Sequence, residues 1–197
     1  TVVGVEGTNP DENRAFLTIG RHLRKAGLPV PQILAESDCG MYYLLEDLGD
    51  ESLFGFMESG RESGQYSPGQ VALLEKVMRL LPDLQFKGGK GLDYSVCFPC
   101  QAFDRRSIFW DLNYFKYSFL KATGLEFHEA RLEDDFERLA SVLLADAPYD
   151  TFMYRDFQAR NVMVRDCEPW FIDFQGGRRG PVEYDVASFL WQARAAY

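Results

Sequence analysis

The chain has 197 residues, 46% hydrophobic and 26% charged, and a net charge of −9. That acidity argues against a nucleic-acid partner, which would need clustered Lys and Arg, and no apolar run reaches the ~18 residues of a membrane span. Four cysteines occur, and Cys97-Phe-Pro-Cys100 is a lone CxxC without a second pair; reduced thiols in a cytoplasmic protein are expected, and no zinc site.

The opening Val2–Glu6 reads as a strand and not as a secretory leader. Its first residue is not Met, and a piece of a longer protein with both ends missing is expected. Asn9-Pro10 opens a helix with acids in its first turn; Ala15, Phe16, Ile19 and Leu23 form its apolar stripe, and Ala26-Gly27 ends it. Gln32–Glu36 and Met41–Glu46 form a hairpin around Ser-Asp-Cys-Gly, followed by the polar break Glu46–Asp50.

Helical periodicity then takes over. Ser67-Pro68 caps a helix with Val71, Leu74, Val77 and Leu81 on one face, stopped or kinked at Pro82. Lys87–Gly91 is expected as a mobile loop without the spacing of a phosphate-binding motif. A helix from Asp104 to Gly124 carries Ile108, Phe109, Leu112, Phe115 and Phe119, and another over 129–146 has Leu132, Phe136, Leu139 and Leu143 inward. Asn161–Val164 and Trp170–Asp173 make a second hairpin with its turn at Arg165–Glu168, and a last helix starts near Tyr184. His22 and His128 are expected on solvated helix surfaces, and Trp170 and Trp191 in the core. The order implies an α+β chain with segregated elements.

The second hairpin carries the chemistry. With Val164 across from Pro169, Asn161 falls across from Ile172 and beside Asp173, so strand alternation brings an amide oxygen and a carboxylate to one open end. Asp156 lies on the loop feeding the first strand. Asn161 and Asp173 suit a hard cation such as Mg²⁺, which takes its remaining ligands from water and phosphates. Asp156 suits a base that orients a hydroxyl nucleophile, and Arg160 adds a cation for the transferred group. Together these are the parts of a phosphoryl-transfer site.

Tyr154-Arg-Asp156-x-x-x-x-Asn161 followed by Ile-Asp173-Phe-Gln, then Gly180-Pro and Tyr184-Asp185-x-Ala-Ser, resembles the aminoglycoside phosphotransferase and choline kinase superfamily. Within it the chain is most similar to the branch that phosphorylates N-acetylmuramate or N-acetylglucosamine at the anomeric carbon. Upstream, Glu12-Asn…Phe16-Leu and Leu45-Glu-Asp-Leu-Gly49 extend the resemblance over most of the chain.

The resemblance implies a protein-kinase-like two-lobed fold, with residues 1–48 as the end of the small lobe and 49–197 as a helical large lobe. It implies ATP and Mg²⁺ as cofactors, a sugar or amino sugar as substrate, Asp156 as base, and Asn161 and Asp173 as metal ligands. Glu46, Asp47 and Leu48 would form the hinge that meets the nucleotide. Asp104 and Asp111 would lie toward the substrate, and Asp185 and Tyr154 would brace the catalytic loop.

Two positions depart from the family pattern. Tyr154 stands where a His is usual, and Glu6 stands where a phosphate-binding Lys is expected. The chain is expected to be an ATP-dependent small-molecule phosphotransferase; the alternatives are a kinase-fold regulatory module with weak catalysis, and an aminoglycoside phosphotransferase.

Overall fold

In the computed structural model, residues 1–192 are described; the last five residues of the expected 49–197 segment lie outside the described residues. Strand β1 (Val2–Glu6), helix α1 (Pro10–Lys25), β2 (Ile33–Glu36) and β3 (Tyr42–Glu46) build the N-terminal region. The three strands form an antiparallel sheet of order β1-β3-β2. The Asn9 side chain caps α1 by accepting from the Asp11 and Glu12 amides, satisfying donors that the first helical turn leaves free. Leu17, Ile19 and Leu23 then bury against the rest of the core.

Short helices α2 (Leu53–Phe56) and α3 (Glu58–Ser63) follow the polar break. The next helix, α4 (Pro68–Pro82), begins with a capping box between Ser67 and Gln70. Its inward face differs from the expected one. Gln70, Leu73, Val77 and Leu81 are buried, while Val71 faces out. The capping box explains the shift, because it turns Gln70 inward, where its amide donates to the Phe56 carbonyl at 2.8 Å and Ser59 Oγ at 3.1 Å.

The α-helix stops at Pro82, as expected, but no mobile loop follows it. The chain continues as one wide π-turn, Asp83–Lys87, which the missing proline N–H favours. Gly88 and Gly89 are buried beyond it. A Cβ on Gly89 would stand 2.9 Å from both the Phe152 nitrogen and the Tyr94 hydroxyl, so close packing, not flexibility, explains the glycine.

Helix α5 (Arg105–Phe115) runs into a second π-turn, Lys116–Leu120, and packs against α6 (Glu129–Leu143). Ile108, Phe136 and Ala140 are buried there. Leu139, expected inward, is exposed, as are Phe115 and Phe119.

Strand β4 (Phe152–Met153), pairing with β7 (Arg178–Arg179), leads into the second hairpin, β5 (Val162–Arg165) and β6 (Glu168–Phe171). The hairpin register is as expected, with Val164 opposite Pro169. Its turn holds Asp166 and Cys167 at φ of 54° and 60°, the left-handed pair of a tight hairpin. The last helix is α7 (Val182–Leu190).

A large apolar cluster joins α1, α4 and the hairpin through Leu23, Val77, Phe152, Tyr154, Phe157 and Phe171. A smaller one, Phe103, Ile108, Ala140 and Met153, lies under α5 and α6. Trp191, expected in the core, is 86% exposed, and Trp170 is half-buried beneath the Arg24 and Arg165 guanidinium groups. His22 is half-buried, with a shielded Nε2. Among the described residues, no helix is long and apolar enough to cross a membrane.

Candidate active site

The loop between β4 and β5 is held by buried groups on both sides. Tyr154 is fully buried and makes edge-to-face contacts with Phe152, Phe157, Phe171 and Phe174. Its hydroxyl donates to the Ile172 carbonyl, which ties the loop to the far end of the hairpin. Asp185, on α7 and fully buried, accepts from the Tyr154 amide at 3.0 Å, the Arg155 amide at 2.9 Å and the Gln85 side chain at 2.9 Å. Burial pushes the Asp185 carboxyl up to about 6 against these three donors.

Asp156 follows, half-buried. Burial and the neighbouring Asp173 raise its pKa, while Arg155 and Arg178 oppose the rise. Gly176 passes close by, and a Cβ there would stand 3.3 Å from Asp156 Oδ2.

Asn161 sits at the mouth of the hairpin. Its side-chain nitrogen donates to the Asp156 carbonyl at 2.9 Å and to Asp173 Oδ2 at 3.0 Å. The Ile172 amide donates to the Asn161 carbonyl, so these two residues face each other as the hairpin register requires. Asp173 is exposed at φ of 66°, and its other oxygen accepts from Gln175 at 2.7 Å. The Asn161 side chain therefore ties the Asp156 backbone to the Asp173 carboxylate, whose charge the Asp156 carboxyl feels.

Asn161 and Asp173, but not Asp156, border a hollow of about 410 Å³ between the N-terminal sheet and the hairpin, whose walls also include Glu6, Glu12, Phe16 and Gln175. Its wall has three carboxylates and neither Lys nor Arg among the described residues. A triphosphate there would need cations to offset the repulsion. The donors present fit one: Asn161 and Asp173 offer hard oxygens, suited to a divalent cation that completes its shell with water and phosphate. Among the described residues, no group of three or more His, Cys, Asp or Glu assembles an all-protein metal cage.

The expected hinge residues sit where the sheet meets the helical body. Glu46 accepts from Arg165 at 2.8 Å and from the Gln32 amide at 3.1 Å. Burial raises its pKa, but these bonds with Arg165 and Arg24 nearby leave it lowered overall. Asp47 accepts from the Gly49 amide at 2.9 Å, and its carbonyl receives Arg165 at 3.4 Å. Leu48 is buried. Both side-chain carboxylates are thus engaged within the protein.

Arg160 is exposed, with its guanidinium over the Phe54 ring at 4.6 Å. Asp104 caps α5 by accepting from the Ser107 amide at 2.8 Å. Asp111 pairs with Arg155 at 2.7 Å and accepts from Tyr184 at 3.5 Å.

Sequence spacing assigned no part in the site to Arg155 or Arg178. The Arg178 side chain is only 2% exposed and donates to the Gly176 carbonyl at 3.0 Å, to Cys100 Sγ at 2.8 Å and to the Phe98 carbonyl at 3.5 Å. The one available hint was a pair of arginines, Arg178-Arg179, directly after a double glycine.

The profile of the phosphotransferase enzyme family matches residues 6–197. The N-acetylmuramate/N-acetylglucosamine kinase of Pseudomonas aeruginosa is 27% identical over 190 residues, covering 94% of this chain and 52% of that protein. The enzyme of the same name from Neisseria meningitidis serogroup B is 31% identical over 169 residues, covering 83% and 46%. The chain thus spans about half the length of the curated relatives it matches.

Among solved structures, a gentamicin–APH(2″)-IIa complex aligns at a TM-score of 0.63 with 16% identity, covering all of this chain and 66% of that one. A choline/ethanolamine kinase family protein from Mesorhizobium loti aligns at 0.58 with 15% identity, covering 99% and 60%. At such identities the likeness shows the fold, which is kinase-like.

Proposed function

From a chain that belongs to the phosphotransferase enzyme family, we propose a protein that moves the γ-phosphoryl group of ATP to a sugar hydroxyl. The acceptor is an amino sugar of the N-acetylmuramate or N-acetylglucosamine type, the substrates named for the relatives. The observation that carries this reading is the Asn161 side chain, which ties the Asp156 backbone to the Asp173 carboxylate and, with Asp173, borders an acid-walled hollow at the mouth of the hairpin.

In this reading Asp156 accepts the proton of the acceptor hydroxyl as that oxygen attacks phosphorus. Its raised pKa makes it a stronger base than an ordinary aspartate. Asn161 and Asp173 would hold Mg²⁺, which supplies charge neutralisation of the transferring phosphate. Backbone groups of Glu46, Asp47 and Leu48 would meet the adenine edge. Arg160 would reach the phosphate only after leaving the Phe54 ring, at the cost of one cation–π contact. Small-molecule and nucleotide chemistry of this kind fits a cytoplasmic protein.

One observation favours a catalytically weaker regulatory module: Glu6 and Glu12 line the hollow where a lysine would otherwise serve the phosphates. Incubating the full-length protein with ATP and a panel of sugars, choline and an aminoglycoside separates these readings. A phosphorylated amino sugar is expected, lost on chelation of divalent cations. Asp156→Asn should lower kcat by about 10²–10⁴-fold. ATP binding without any phosphorylated sugar would refute the proposal; product from the aminoglycoside alone would move the acceptor to that class.

A further inference from the structure

Arg155 stands directly before the proposed base, and its backbone is left-handed, with φ of 78°. That conformation is strained for a long side chain, and arginine lacks the side-chain oxygen with which Asp or Asn relieves it locally. Two contacts hold it. The Arg155 amide donates to Asp185 Oδ1 at 2.9 Å, and its guanidinium donates to Asp111 Oδ1 on α5 at 2.7 Å. The second Asp111 oxygen receives the Tyr184 hydroxyl of α7 at 3.5 Å. Both oxygens of Asp111 are therefore engaged, and a direct substrate contact would have to displace one of them.

Helix α5 does not belong to the large core. It packs with α6 over the smaller cluster of Phe103, Ile108, Ala140 and Met153. Lys116, just beyond α5, holds Glu129 at 2.8 Å and Glu133 at 2.6 Å, so this region and α6 form one unit. Among the described residues, the Asp111–Arg155 pair is the ion pair linking that unit to the loop that carries Asp156.

We infer that the Asp111–Arg155 pair is a positioning device: it sets the direction of the Asp156 carboxylate and makes that direction depend on the placement of α5. The inference rests on the phosphotransfer reading, and it separates from a purely structural ion pair by its readout. The two side chains are 24% and 37% exposed, and pairs that open to water add little stability. Losing this one should leave the melting temperature nearly unchanged while disturbing the loop.

The test uses the full-length protein with Asp111→Asn, which keeps the shape and removes the ionic partner. Expected are a fall in kcat of about ten-fold or more, a nucleotide KM within about two-fold of wild type, and a melting temperature within about 2 °C. Amide exchange should quicken across 154–157 and stay unchanged across 162–171. Arg155→Lys should recover part of the rate that Arg155→Met loses.

Unchanged kcat and unchanged exchange in Asp111→Asn would overturn the inference. So would a rate loss accompanied by faster exchange throughout the chain. If the wild-type protein phosphorylates nothing in the panel, the functional reading falls. The exchange measurement still decides the coupling in that case, because it needs no turnover.

Discussion

Strand β4 separates two apolar clusters: Phe152 points into the large core beneath the loop that carries Asp156, and the next residue, Met153, points into the small cluster under α5 and α6. On the Phe152 side the start of the loop is held by several groups. Tyr154 is enclosed by four rings, and Asp185 satisfies two consecutive loop amides. On the Met153 side four buried residues suffice, and Trp110, Tyr114, Phe115 and Phe119 stay exposed. The difference teaches that groups needing fixed geometry are tied to the large core, while the α5–α6 unit is joined by few contacts, the Asp111 pair among them.

The sharpest way to break this contrast is Asp185→Ala. Removing the carboxylate leaves the Tyr154 and Arg155 amides and the Gln85 side chain without their acceptor in a dry site. A loss on the order of 4 kcal/mol is expected, read by denaturant unfolding. A loss under about 1 kcal/mol would mean that the loop amides find water or another partner.

Cavity-forming substitutions compare the two sides directly. Phe157→Ala should cost about 3–5 kcal/mol, and Ile108→Ala nearer 2 kcal/mol, because the half-buried Phe109 and Leu112 can relax into the gap. Equal costs would show that the small cluster is as tightly packed as the large one.

The Asp185 carboxyl also gives a pH signature. Burial lifts its pKa from 3.8 to about 6, so the folded protein keeps a proton that the unfolded chain has released. The stability this proton contributes is complete below about pH 4 and is lost as the pH rises through about 6. Asp185→Asn has no such titration. Its stability relative to wild type should therefore improve by about 2–3 kcal/mol between pH 4 and pH 7. Thermal melts across that range check it, and a constant gap between the two proteins would contradict the burial assigned to this group.

At the small end, Tyr114→Ala should change stability by no more than about 0.5 kcal/mol, since its ring is among the exposed residues of α5. A larger loss would show that this surface is covered in the full-length protein.

How much was legible in the sequence follows the range of each interaction. The register of the second hairpin was legible because strand alternation is a local rule, although its strands run Val162–Arg165 and Glu168–Phe171 and not Asn161–Val164 and Trp170–Asp173. The same rule puts Asn161 beside Asp173, and a hydrogen bond joins the two side chains there. The α4 helix was legible as a helix but not in its buried face, because an i, i+3, i+4 pattern fits both Leu73 and Leu74. The packing of Gln70 against Phe56 and Ser59 selected between them. Trp191 was misplaced because hydrophobicity states a preference for burial and does not provide a surface to bury against.

By itself the sequence determined the order of the longer elements, the hairpin register and the set of oxygen-bearing side chains near its mouth. Only the tertiary structure decided the partners of the charged groups around them. Arg155 reaches Asp111 across 44 residues and Arg178 reaches Cys100 across 78. Periodicity tells a side chain which face of its element it occupies, whereas a pairing over that distance exists only once two separately folded elements have packed together.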